Sequence, residues 1–97
     1  MEQRQSDEVK PYTDLQNTEE YIIREFADNV DPIHLLWHRD NESRVVEIIG
    51  ETDWKLQLDE QIPTSMNHAI FIPRHKWHRL IKGTGTLTLK IKKLQDV

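Results

Sequence analysis

Apolar residues occupy every second position over two stretches of the chain, Trp54, Leu56 and Leu58 and then Leu87, Leu89 and Ile91, with polar residues between them. A period of two sets the three apolar side chains of each stretch on one face, which predicts strands buried on one side. Two denser apolar runs predict two more strands: Val45 to Ile49, interrupted by Glu47, and Ala69 to Ile72, ended by Pro73. Turn chemistry falls at Gly50, at Asp59-Glu60-Gln61 before Pro63, and at Gly83-Thr84-Gly85, where glycine permits positive φ. Short strands at this spacing predict a mostly β sandwich or barrel rather than alternating β and α units.

Upstream the pattern is different. Met1 to Gln16 is almost entirely polar, with Pro11 as a breaker, and predicts a mobile tail (residues 1–16) ahead of one domain (residues 17–97). Asn17 or Thr18 is placed to cap a short helix running through Ala27, since Asn17 and Glu20 have capping-box spacing and Ile22, Ile23 and Phe26 form an apolar stripe. Pro32 disfavours helical backbone at Asp31 and ends it.

At 97 residues, with 36% hydrophobic and 31% charged positions, the chain supports one lean core, and association could supply further burial. A formal net charge of -4 argues against an electrostatically driven nucleic-acid binder. The absence of cysteine excludes disulfides, thiolate ligands and thiol catalysis, so any metal must use His, carboxylate or water. No secretory signal and no membrane-spanning run stand out, and a soluble cytoplasmic protein is the expectation.

One internal echo carries chemistry: Trp37-His38-Arg39 recurs as Trp77-His78-Arg79. On strands, each histidine faces opposite to its flanking Trp and Arg, so the two histidines can share an interior while Trp37 and Trp77 face outward, where a subunit interface would use them. A three-residue coincidence is the plainer account. Glu47 is either an inward carboxylate poised as a base or ligand-binding group, or an outward charge on a half-exposed strand. Arg39, Asp40, Arg44 and Arg79 suggest a surface ion-pair network. No nucleophile elbow, phosphate-cradling loop or His-Glu-x-x-His motif is present, which leaves metal or acid–base chemistry for any enzyme.

From Trp37 to Leu94 the chain resembles the cupin superfamily, in particular its small single-domain members. Asn67-His68-Ala69-Ile70-Phe71-Ile72-Pro73 followed by His78-Arg79-Leu80-Ile81 resembles the second cupin motif, and His38, Val45 to Ile49 and Gly50-Glu51 resemble the first. The resemblance implies a jelly-roll β-barrel with a pocket inside. Metal-binding members offer two histidines one residue apart and a glutamate from the first motif, and a histidine from the second. Here His38 matches the later histidine and His78 the last, whereas the earlier histidine falls on Leu36 and the glutamate on Ser43. The usual glycine of the second motif is Asn67, the glycine after the proline is His75, and the later asparagine is Lys82. A divalent ion (Zn, Ni, Mn or Fe) would need a third ligand beside His38 and His78, from His34, Glu42 or His75. Three functions follow: a small-molecule binding or sensing module with a pocket lined by His38, His78 and Glu47; a metal-dependent enzyme for a sugar-like or carboxylate substrate; or a structural protein with an unused pocket. A homodimer is expected for each.

Overall fold

The computed structural model describes residues 10–95. Eight strands follow in chain order: β1 (Thr13–Asn17), β2 (Tyr21–Phe26), β3 (Arg44–Ile48), β4 (Lys55–Leu58), β5 (Thr64–Ser65), β6 (Ile70–Ile72), β7 (His78–Ile81) and β8 (Leu87–Lys93). A 3-10 turn, Pro32–His34, lies between β2 and β3. All pairings are antiparallel, and they form a larger sheet in the order β1-β2-β8-β3-β6 and a smaller one in the order β5-β4-β7.

The alternation read from the sequence sets the inner faces. Leu87, Leu89 and Ile91 of β8 are buried, as are Trp54 and Leu56 at β4, and they meet Ile22, Phe26, Val46, Ile70 and Ile72 in one core. The expected closed barrel is instead two facing sheets, because no ladder joins them at both sides among the described residues. Proline explains part of this: Pro63 precedes the two-residue β5 and Pro73 follows the three-residue β6, and a residue without an N–H cannot extend a ladder.

The expected helix from Asn17 to Ala27 is a β-hairpin. Thr18 Oγ1 accepts from the backbone N–H groups of Glu20 and Tyr21 at 3.1 and 3.0 Å, and Thr18 N–H donates to the Tyr21 carbonyl at 2.8 Å. An N-cap uses the same side-chain chemistry, but here it closes a turn. Ile22 and Phe26 fit a period of two as well as a helical stripe, and the β-forming run Tyr21-Ile22-Ile23 favours the strand. Of the expected tail, Met1 to Val9 lies outside the described residues, whereas Thr13 to Gln16 belong to β1.

Gly83 is fixed by crowding rather than by its φ. A Cβ there would stand 2.7 Å from Trp54 N and 2.8 Å from the Asp53 carbonyl carbon, and would also strike the Asp53 carboxylate that accepts from Thr84 N–H. Gly83→Ala is therefore expected to cost about 2 kcal/mol through backbone displacement. Urea unfolding checks it, and a loss below about 0.5 kcal/mol would contradict the close approach.

Candidate metal centre

The two Trp-His-Arg tripeptides lie beside each other. His38 N–H donates to the His78 carbonyl and His78 N–H to the His38 carbonyl, each at 2.9 Å, so the pair forms an antiparallel bridge at the outer side of β7. Directly opposed residues in an antiparallel pair send their side chains to the same face. On β7, His78 shares its face with Leu80 and is 4% exposed, and the His38 ring meets the His78 ring at a centroid distance of 4.2 Å.

Asp40 joins them. It stands two residues after His38, and its carbonyl accepts from His75 N–H at 2.9 Å, which ties the segment to the loop before β7. Asp40 Oδ2 lies 3.4 Å from His78 Nε2, and one ligand atom from each of His38, Asp40 and His78 falls within 4.8 Å of the others. Behind the carboxylate, Arg44 reaches Asp40 Oδ1 at 3.4 Å through Nη1 and holds Glu42 Oε2 at 2.7 Å through Nε and Nη2.

Proton positions follow from the partners. His78 Nδ1 is 2.8 Å from the Lys76 carbonyl and His38 Nδ1 is 3.1 Å from the Leu36 carbonyl. Carbonyls only accept, so in each neutral ring Nδ1 carries the proton and Nε2 presents a lone pair. The His78 lone pair thus confronts Asp40 Oδ2, a buried carboxylate oxygen with no hydrogen-bond partner among the described residues. Two lone-pair donors facing each other inside a protein call for a positive centre between them. A proton would meet the need only weakly, since burial pushes the His78 pKa below its ordinary 6.5, and His38 and Arg44 push the same way against the Lys76 carbonyl and Asp40. A divalent ion would meet it with positive charge, and His38, Asp40 and His78 are the residues that would hold it. The backbone bonds at the two Nδ1 atoms are the outer partners that fix such ligands.

Because folding depresses the His78 pKa, the unfolded chain takes up this proton at the higher pH. The metal-free protein should therefore keep its full stability above pH 6.5 and lose part of it as pH falls from there toward the folded value. Thermal melts at a series of pH values check this against His78→Asn. An identical slope in the variant would assign the loss to other groups.

The cluster opens on a cavity of about 780 Å³ between the sheets, walled by Val46, Leu56, Ile72, Leu80, Leu89 and Ile91, with Arg24 and Arg44 as further polar groups. The residues expected at the site separate here. His38 and His78 converge, but only His78 is interior, since His38 is exposed at the mouth of the cavity, and His34 lines the same cavity outside their cluster. Glu42 faces Arg44, with no place in the cluster, and His75 sits at positive φ of 68° in the loop before β7. Glu47 belongs to the opposite face of β3 from Val46 and lies 3.7 Å from Lys92 Nζ, which matches the outward reading. Ser43, the residue aligned with the family's glutamate, accepts from Arg74 N–H at 3.0 Å.

Asp40 makes the expected contact with Arg44 through Oδ1, but its Oδ2 faces His78. The pair one residue apart that converges is His38 and Asp40, rather than Leu36 and His38. The shared parity of His38-x-Asp40 was the available signal.

No protein-family model matches the sequence, and no curated protein matches it. Solved structures do match. An RmlC-like cupin family protein with a double-stranded β-helix fold from Methanocaldococcus jannaschii superposes with a TM-score of 0.61 at 18% identity, covering 95% of this chain and 85% of that one. KdgF from Halomonas sp. gives 0.60 at 12% identity over 93% and 87% of the two chains. Fe(II)-HppE with an alternative substrate gives 0.57 at 13% identity over 76% of this chain, which spans 41% of that one.

Proposed function

We propose that this chain, which has the cupin fold, holds one divalent metal ion on His38, Asp40 and His78 and acts on a small oxygen-bearing substrate in the cavity beside it. The observation that carries the reading is Asp40 Oδ2, buried without a hydrogen-bond partner and facing a proton-free imidazole nitrogen. Two imidazoles and a carboxylate suit Fe, Zn, Mn or Ni, and they leave coordination positions for substrate or water. The neighbour that contains Fe(II) lends support from a related fold.

When bound, the ion supplies a Lewis acid for a substrate oxygen. The chain's own residues do the rest. The carbonyls of Leu36 and Lys76 hold the two rings by Nδ1, which leaves the Nε2 lone pair of each free for the ion. Arg44 takes Asp40 Oδ1 and leaves Oδ2 for the cluster, while Glu42 behind it holds the guanidinium in place. The aliphatic walls lower the local polarity on that side of the cluster, which strengthens polar interactions there. A binding or sensing module is the alternative that two converging histidines alone would favour. The third donor tips the balance to the metal-dependent reading, since three protein ligands can retain a divalent ion.

The test is metal analysis of untagged protein, followed by anaerobic titration of the chelator-treated protein with Fe(II), Mn(II), Ni(II) and Zn(II). One ion per chain is expected. Failure of all four to bind at about 10 μM would overturn the proposal, because a three-ligand site holds at least one of them more tightly.

A further inference from the structure

The repeated tripeptides have a second side. About the reciprocal His38–His78 pair they run antiparallel, so on the face away from the cavity Trp37 stands against Arg79 and Arg39 against Trp77. The Arg79 guanidinium lies 4.8 Å from the centre of the Trp37 ring, and that of Arg39 lies 5.1 Å from the centre of the Trp77 ring. Trp37 and Trp77 stay 39% and 41% exposed. The result is a crossed pair of cation–π contacts on one surface.

Among the described residues no counter-charge meets the two arginines there. Arg24 has Asp14 at 2.7 Å and Arg44 has Glu42 and Asp40, whereas among the described residues neither Arg39 nor Arg79 has a carboxylate within ion-pair distance. Arg79 donates only to the neutral Gln57 Oε1, at 2.9 Å. Two guanidiniums on one face with no carboxylate against them among the described residues contrast with a chain whose net charge is -4. The backbone beside them is open too, because Trp37 and Arg39 flank the bridge and no backbone hydrogen bond reaches either of them among the described residues. An open sheet edge accepts an added strand.

We propose that this face binds an extended acidic segment of a partner polypeptide, with its backbone along the edge at residues 37–39 and its carboxylates on Arg39 and Arg79. Guanidinium forks match carboxylates in geometry as well as charge, and their stacking on indole fixes them in advance. Tryptophan and arginine are the residue types that dominate interface energetics. A nucleic acid fits less well, since two cations neutralise few phosphates. A two-fold contact centred on this face would set the two guanidiniums against the same two of a second copy.

The probe is a fluorescein-labelled peptide of alternating glutamate and valine, compared with versions carrying glutamine or lysine in place of glutamate. Fluorescence anisotropy should report binding of the glutamate peptide about tenfold tighter than the glutamine one, weakening with salt, and none of the lysine one. Arg39→Gln with Arg79→Gln should abolish the preference for glutamate, with circular dichroism unchanged. Equal binding of the three peptides, no binding at about 1 mM, or an unchanged preference in the double variant would overturn the proposal. So would sedimentation showing a dimer of the chain alone that the double substitution dissociates, because the face would then be covered by a second copy. The comparison of peptides on the unsubstituted chain decides the matter even if the variant misfolds.

Discussion

Asp40→Asn is expected to weaken metal binding on the order of 10²- to 10³-fold while making the metal-free protein more stable. The loss follows from removing the only anionic donor of the cluster. The gain follows from the same atom. In the metal-free protein Oδ2 is a buried acceptor without a donor, 3.4 Å from a nitrogen that carries no proton. An asparagine amide in that place can donate to His78 Nε2 and still offer its carbonyl oxygen to Arg44, which removes an unsatisfied group worth about 1 kcal/mol. The melting temperature of chelator-treated protein should rise by roughly 4 °C or more. Titration calorimetry and thermal melts on the same preparation read both effects. A variant that binds metal as well as the parent, or that melts lower without metal, would show that Asp40 serves packing rather than the ion. Opposed effects of this kind mark a functional group retained at a cost in stability.

The largest stability effect is expected at Trp54. Its side chain is 1% exposed, its indole N–H donates to the Gly85 carbonyl at 3.1 Å, and its ring lies 5.9 Å from that of Phe26. Trp54→Ala removes the largest side chain of the core and leaves the Gly85 carbonyl without its donor, which should cost about 3–5 kcal/mol. A domain of this size has only about 5–15 kcal/mol to lose, so the variant should give up a large share of its stability. Trp54→Phe keeps most of the apolar volume and separates the lost hydrogen bond, at about 1 kcal/mol, from the lost packing. Urea unfolding of both variants supplies the comparison. A loss below about 1 kcal/mol in Trp54→Ala would mean that the core closes over the gap.

The sequence was most readable where only one period fitted. Leu87, Leu89 and Ile91 alternate with threonine and lysine, and all three are buried on β8. At Asn17 to Ala27 two periods fitted, since Ile22 and Phe26 are two strand steps or one helical turn apart, and Thr18 makes the bonds of a cap while closing a hairpin. Local pattern could not decide, because the deciding contact is the pairing of β2 with β8 at the far end of the chain. The same limit applied to the site. His38 and His78 were visible as a repeated tripeptide, and parity set them on the same side. Asp40 shares that parity, but so do several polar residues of the segment. Only the bridge between His38 and His78 shows which of them reaches the second histidine. The positions where the family carries its earlier histidine and its glutamate fall on Leu36 and Ser43, so the converging pair lies two residues out of step with the family pattern.

The place of β8 has a consequence for synthesis. β2 and β3 do not pair with each other; each pairs with β8, which follows both of them in sequence. On the ribosome, every earlier strand of the larger sheet emerges before the strand that joins its two halves. The nascent chain must carry the unpaired inner edge of β2, including Ile22 and Phe26, until Leu87 to Lys93 is released. Strands left open in this way attract other open strands, so the sheet is most vulnerable to misassembly during the time taken to translate from β3 to β8. The lysines at 90, 92 and 93 place charge along the late strand, the arrangement that counters association of an open apolar strand.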